Sequence, residues 1–191
     1  IPIAFLAGIL VFILWVGFES PWITQSFPYI SEWYDRLFVD LTQPFKVRDL
    51  YDRGDGIMVP YMVIEKGPFT GLHDYNPLVS GWVNFTIHMI GTSVIIAIIE
   101  EFFYRSFMYR WMQGSPFLEI DPGNLHWPLL IIISLFFCIS HLEWGVAILC
   151  GIIFGLLYIK TKDIWAAIIA HGTTNFLLGL YVVKYDAYQF W

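Results

Sequence analysis

Apolar residues in this chain come in long blocks rather than in alternation with polar ones. Five stretches, roughly 1–18, 78–99, 127–142, 144–159 and 164–183, are almost free of charge. A helix that crosses a bilayer needs about 20 apolar residues, with a range of about 17–25. Two of the stretches have 16 residues each and reach about 24 Å at about 1.5 Å per residue. Local bilayer thinning, or helix ends held inside protein, accommodates such short spans. Trp127 and Pro128 open the third stretch, an interfacial aromatic followed by a first-turn proline. Asp163 and Trp165 open the fifth, and Gly151 and Gly155 form a GxxxG in the fourth that lets a neighbouring helix come close. The pattern predicts an all-α, polytopic transmembrane helix bundle with about five spans in this chain and no internal repeat.

Residues 19–77 interrupt the blocks. They hold nine acids and five bases, a net charge of −4. Within them Ile30, Trp33, Tyr34, Leu37, Phe38 and Leu41 follow helical spacing, and Glu32, Asp35 and Arg36 fall largely opposite. This predicts a large extramembrane loop with an amphipathic helix near 30–41. Its polar face is acidic, whereas interfacial helices that bind anionic lipid are normally basic, so docking onto the bundle is the expected role. Residues 78–183 form the expected membrane core and 184–191 a tail.

Composition agrees with lipid as the solvent. The chain of 191 residues is 58% hydrophobic and 14% charged, with mean hydropathy +0.63; a soluble domain carries about a quarter charged residues. The net charge of −6 gives no sign of nucleic-acid binding. The first stretch lacks a basic leader and a small-residue cleavage site, so it reads as a span rather than a signal peptide. The chain opens on Ile1 inside an apolar run and is read as an internal fragment. Cys138 and Cys150 both lie in apolar segments without metal-ligand spacing and read as buried thiols. If the spans alternate, Arg105, Arg110, Lys160 and Lys162 share one side, which puts loop 19–77 outside.

Ionisable groups within spans are costly and need a reason. Glu100 and Glu101 are adjacent at the end of the second stretch, and Glu101 stands four residues before Arg105, on the same helical face. Arg105 can neutralise Glu101, which leaves Glu100 free to take up and release a proton as a general base. An interfacial charge cluster is the alternative. Phe137 and His141 share a face at the end of the third stretch, as core aromatics or as part of a site; Glu143 follows as a further proton partner or a solvent-facing acid. His171 and Asn175, also four apart, lie about two turns into the fifth. They read as donors aimed at a developing oxyanion, or as interhelical hydrogen bonds with Thr173 and Thr174. Asn84 and His88 read as structural hydrogen-bonding residues.

Glu-Glu-x-x-x-Arg (100–105), Phe-x-x-x-His (137–141) and His-x-x-x-Asn (171–175), in that order on three predicted spans, resemble the CAAX protease and bacteriocin-processing (CPBP, Abi) family of glutamic intramembrane proteases. The resemblance covers about 78–183. It implies a membrane-embedded endopeptidase that hydrolyses a peptide bond of a membrane-associated protein or peptide. Glu100 would activate water with His141 assisting, and His171 and Asn175 would form the oxyanion hole. Glu101 and Arg105 would support Glu100, and Phe137 would shape the pocket. It implies no cofactor and no metal; the partners are membrane lipid and the substrate. The opening segment and the loop also look like the exosortase-associated bacterial branch, which implies the bacterial cytoplasmic membrane and a protein-sorting partner. Three rival readings stand beside it. One is a zinc-dependent membrane protease using Glu100, His141 and His171, although no His-Glu-x-x-His helix is present. The second is a non-catalytic scaffold or partner-binding subunit. The third is a proton-coupled transporter, which would also use buried Glu and His, although no broken-helix pair or internal repeat is present.

Overall fold

The computed structural model describes residues 1–18, 21–38, 47–52, 58–64, 67–68, 76–141, 143–185, 187 and 190. Helix α1 spans Pro2–Gly17, α2 Pro21–Ser26 and α3 Pro28–Phe38. Strands β1 (Val47–Asp52), β2 (Met58–Ile64) and β3 (Gly67–Pro68) follow, paired antiparallel in that order with Val47 opposite Val63 and Val63 opposite Pro68. Helices α4 (Pro77–Ser80), α5 (Trp82–Trp111), α6 (Trp127–Cys138), α7 (Trp144–Thr161) and α8 (Ile164–Tyr185) complete the fold. The bundle is all-α; the small sheet lies in the segment between α3 and α4. Leu41, the last position of the amphipathic spacing, lies outside the described residues.

Three helices, α5, α7 and α8, are long and apolar enough to cross a membrane. Helices α1 and α6 are equally apolar but have 16 and 12 residues. The outer faces are hydrocarbon: α1 exposes Phe5, Leu6, Ile9, Leu10 and Ile13, and α5 exposes Val83, Ile87, Ile90, Ile95 and Ile99. Water-soluble monomers rarely leave contiguous apolar patches beyond a few hundred Å², and lipid removes that penalty. The protein is an integral membrane protein.

Two helices end differently from the hydropathy blocks. Helix α5 runs for 30 residues, through Glu100 and Glu101 and on to Trp111. The paired acids therefore lie inside a helix, and Arg105, only 2% exposed, is not a loop cation that reports orientation. Helix α6 stops at Cys138. Its Phe137 carbonyl accepts from Ser140 Oγ at 3.1 Å and from His141 Nδ1 at 2.9 Å. Side chains thus take the place of the next helical bond, and the His141 N–H turns back to the Cys138 carbonyl at 3.0 Å.

Small residues set the helix spacing. A Cβ on Gly151 of α7 would stand 2.8 Å from Ser134 Cβ of α6, so α6 and α7 pack backbone to backbone. Helix α1 lies along α8, where Thr174 Oγ1 donates to the Gly8 carbonyl at 2.9 Å. The loop between α5 and α6 is tied to α5 by Tyr109 Oη donating to Asn124 O and by Arg110 donating to Ile120 O and Leu118 O. At its far end Lys162 Nζ donates to Asp121 at 2.8 Å. That bond, with one from the Gly123 N–H, holds the exposed Asp121 carboxyl below its ordinary value.

Candidate active site

Helix α5 reaches the centre of the bundle with unusual winding. Residues Gly91–Ile96 and Phe102–Met108 are π-helical, and the α-helical turn Ala97–Glu101 between them carries both acids. Widened turns of this kind re-aim side chains and recur at functional sites. Here they let adjacent residues serve different neighbours. Glu101 is fully buried, and its Oε1 accepts from Arg105 Nη1 at 2.9 Å and from His171 Nδ1 at 2.9 Å. Arg105 Nη2 also reaches the Gly151 carbonyl at 3.4 Å, and its guanidinium stands 4.6 Å from the Phe137 ring centroid. A cation desolvated against an aromatic face gains about 2 kcal/mol. The buried pair thus gains contacts beyond the ion pair itself, although Glu101 Oε2 is buried with no hydrogen-bond partner.

His171 comes from α8, and Gly172 explains how it gets there. A Cβ at 172 would lie 2.5 Å from the Ser93 carbonyl oxygen of α5, so only glycine permits the approach. With the helices that close, Asn175 Nδ2 donates to Thr92 O at 2.9 Å. The His171 ring stacks on Phe154 at 5.4 Å and meets Phe137 edge-on at 5.9 Å. Because a carboxylate only accepts, His171 Nδ1 carries the hydrogen toward Glu101. Nε2 is left facing Glu100, 3.9 Å from its Oε2.

His141 sits beyond the end of α6, in the connection to α7. Its Nδ1 must donate to the Phe137 carbonyl, so in the neutral ring Nε2 is an acceptor. The ring lies 4.6 Å from Phe137 and 5.6 Å from Trp15. Glu100, His141, His171 and Asn175 line one cavity of about 230 Å³, with Phe137 in its wall. Arg105 and Glu101 stand behind that wall. Glu101 reaches His171, 70 residues away in sequence.

A family described as "Type II CAAX prenyl endopeptidase Rce1-like" matches residues 82–177. The match begins with α5 and ends two residues past Asn175, so it contains every residue of the three motifs. It spans half of the chain. The chain belongs to this family. The Rce1-like family is one of membrane endopeptidases, and the chain is accordingly a peptidase by family. No curated protein and no solved structure matches the chain significantly.

The Rce1-like match leaves out α1, α2, α3, the small sheet and the tail, yet some of these residues meet the cavity. Trp15 and Phe190 line it from outside the matched segment, and His88, Thr92 and Cys150 line it from within. Hydropathy hides Trp15 and Phe190, which look like interfacial aromatics. The helical spacing 88–92–96–100 offers the one sequence signal for His88 and Thr92, since four-residue steps keep to one face. Glu143 is buried and accepts from Tyr34 Oη at 3.4 Å. Among the described residues no three His, Cys, Asp or Glu side chains are grouped to hold a metal ion.

Proposed function

We propose that the chain is a glutamic intramembrane endopeptidase in which Glu100 activates the hydrolytic water. The observation that carries this reading is the convergence of Glu100, His141, His171 and Asn175 on one cavity inside a membrane bundle. The 3.9 Å between Glu100 Oε2 and His171 Nε2 is too long for a direct bond. A water at about 2.8 Å from each fits that spacing, with an angle of about 90° between them.

The chemistry follows from how these four side chains face the cavity. Glu100 takes a proton from the water, whose oxygen attacks the scissile carbonyl carbon. His141 offers Nε2 as an acceptor that orients this water. The carbonyl oxygen, now negative, receives the second Nδ2 hydrogen of Asn175 and, when His171 Nε2 carries a hydrogen, that hydrogen as well. Glu101 fixes the orientation of the His171 ring through the Nδ1 bond. When the tetrahedral species collapses, the C–N bond breaks and Glu100 passes its proton to the leaving amine. Exclusion of bulk water strengthens each of these dipoles. Membrane-associated proteins or peptides are the substrate class. By the likeness of the opening segment and loop to the exosortase-associated branch, the bacterial cytoplasmic membrane is the location and a protein-sorting system the setting.

The test uses the full chain in lipid nanodiscs with a membrane-anchored fluorogenic peptide, beside Glu100→Ala and His171→Ala. Each variant is expected to lose about 10²–10⁴ in rate, and wild-type cleavage is expected to survive strong chelators. Two variants that cut as fast as wild type overturn the mechanism.

A further inference from the structure

His141 is the one proposed site residue that no helix carries. Helix α6 has ended three residues earlier, and α7 begins three residues later, at Trp144. A loop-borne catalytic group must be held by something else to keep its geometry. Two elements outside the family-matched residues grip this connection. The last turn of α1 places the Trp15 ring edge-on against His141 at 5.6 Å and 62°. Helix α3 covers the other end. Tyr34, itself buried, donates its hydroxyl to the buried carboxylate of Glu143, two residues past His141. Phe38 packs on Trp144 at 5.1 Å, and a Cβ on Gly145 would lie 2.4 Å from Phe38 Cβ. Phe18, just past α1, stacks flat on Tyr34 at 4.3 Å and 2°. Helices α1 and α3 thus brace each other as they close over the turn.

We propose that Trp15, Tyr34 and Glu143 are positioning residues that clamp the α6–α7 connection and so fix His141 against the cavity. The inference rests on the proposed role of His141 in orienting water. It gives α3, an amphipathic helix of the acidic segment, a task in the site: through Tyr34 it couples that segment to the turn. Tyr34 and Glu143 lie outside the cavity lining; Trp15 is part of it and also bears on His141. Their effect is exerted through His141, and that is what separates a clamp from general packing.

The experiment uses the full chain in nanodiscs and reads two things on the same variants: Trp15→Ala, Trp15→Phe, Tyr34→Phe and Gly145→Ala. The first is backbone amide exchange over 139–147, where the His141 N–H is held by Cys138 O and the Ala147 N–H by Glu143 O. The second is turnover of the membrane-anchored fluorogenic peptide. Trp15→Ala, Tyr34→Phe and Gly145→Ala are expected to speed exchange in that window by about fivefold, which for Tyr34→Phe is the worth of the lost hydrogen bond and for the other two is of similar size from lost or displaced packing. Exchange around His171 should be unchanged. The value of kcat should fall about tenfold or more while KM stays within about twofold, as misplacement of a catalytic group predicts. Trp15→Phe, which keeps an aromatic edge, should restore most of it. In a His141→Ala background, Trp15→Ala should cost nothing further, because residues acting through one group are not additive. Exchange that is unchanged in this window, or raised equally along α8, overturns the clamp. So does a loss that multiplies with that of His141→Ala. Wild-type protein that cuts no peptide defeats the protease reading instead, and the exchange data still decide the clamp.

Discussion

Replacing each acid of the pair by its amide separates a structural carboxylate from a chemical one. Glu101→Gln keeps the size of the side chain and one acceptor oxygen, but removes the charge. Arg105, 2% exposed, then becomes a buried cation without a counter-ion. Breaking a buried pair in this way costs about 3–5 kcal/mol. The Phe137 ring at 4.6 Å and the Gly151 carbonyl at 3.4 Å remain beside the guanidinium, so the lower end, about 3 kcal/mol, is expected. For a chain of this length that lowers Tm by about 6–12 °C. Glu100→Gln differs. Its carboxylate is 23% exposed and makes no contact shorter than the 3.9 Å to His171 among the described ion pairs. Because Glu100 Oε2 has no hydrogen-bond partner to lose, stability should stay within about 1 kcal/mol of wild type, while activity falls about 10²–10⁴-fold. Glu101→Gln, assayed below its own melting range, should lose about 10²-fold at most, through misplaced His171. Thermal unfolding in nanodiscs, paired with peptide turnover, reads both axes. A Glu101→Gln protein that melts with wild type, or a Glu100→Gln protein that melts well below it, refutes the assignment of roles.

Three further outcomes follow from packing. Gly8→Ala puts a Cβ 2.4 Å from the Ala170 carbonyl oxygen; forcing α1 from α8 should cost about 1–3 kcal/mol, read as a lower Tm. Gly151→Ala meets Ser134 Cα at 2.9 Å and shifts the carbonyl that Arg105 uses, so it should lower both Tm and turnover. Lys162→Ala removes an exposed ion pair with Asp121 at 2.8 Å and should leave Tm and turnover unchanged at physiological salt, because solvent-exposed pairs contribute little.

The membrane bundle is legible in the sequence because hydropathy is a local property. In lipid each span must satisfy its own backbone hydrogen bonds, so a block of apolar residues declares a helix without reference to its neighbours. The candidate chemistry is legible for a related reason. A carboxylate or imidazole is so costly in a span that Glu100, Glu101, His141 and His171 stand out by identity alone, and four-residue spacing pairs Glu101 with Arg105. Contacts between spans leave no such trace. That Glu101 holds His171 depends on the π-helical turns of α5 and on the close approach at Gly172. That α6 stops short at Cys138 depends on two side chains competing for the Phe137 carbonyl. That Trp15 and Tyr34 reach the turn carrying His141 depends on how α1 and α3 dock, through Gly8 and Gly145. Each of these is a matter of register between distant segments, set by side-chain shape and backbone approach. The sequence alone determined which groups this protein brings into the membrane; only the tertiary packing decided which of them meet.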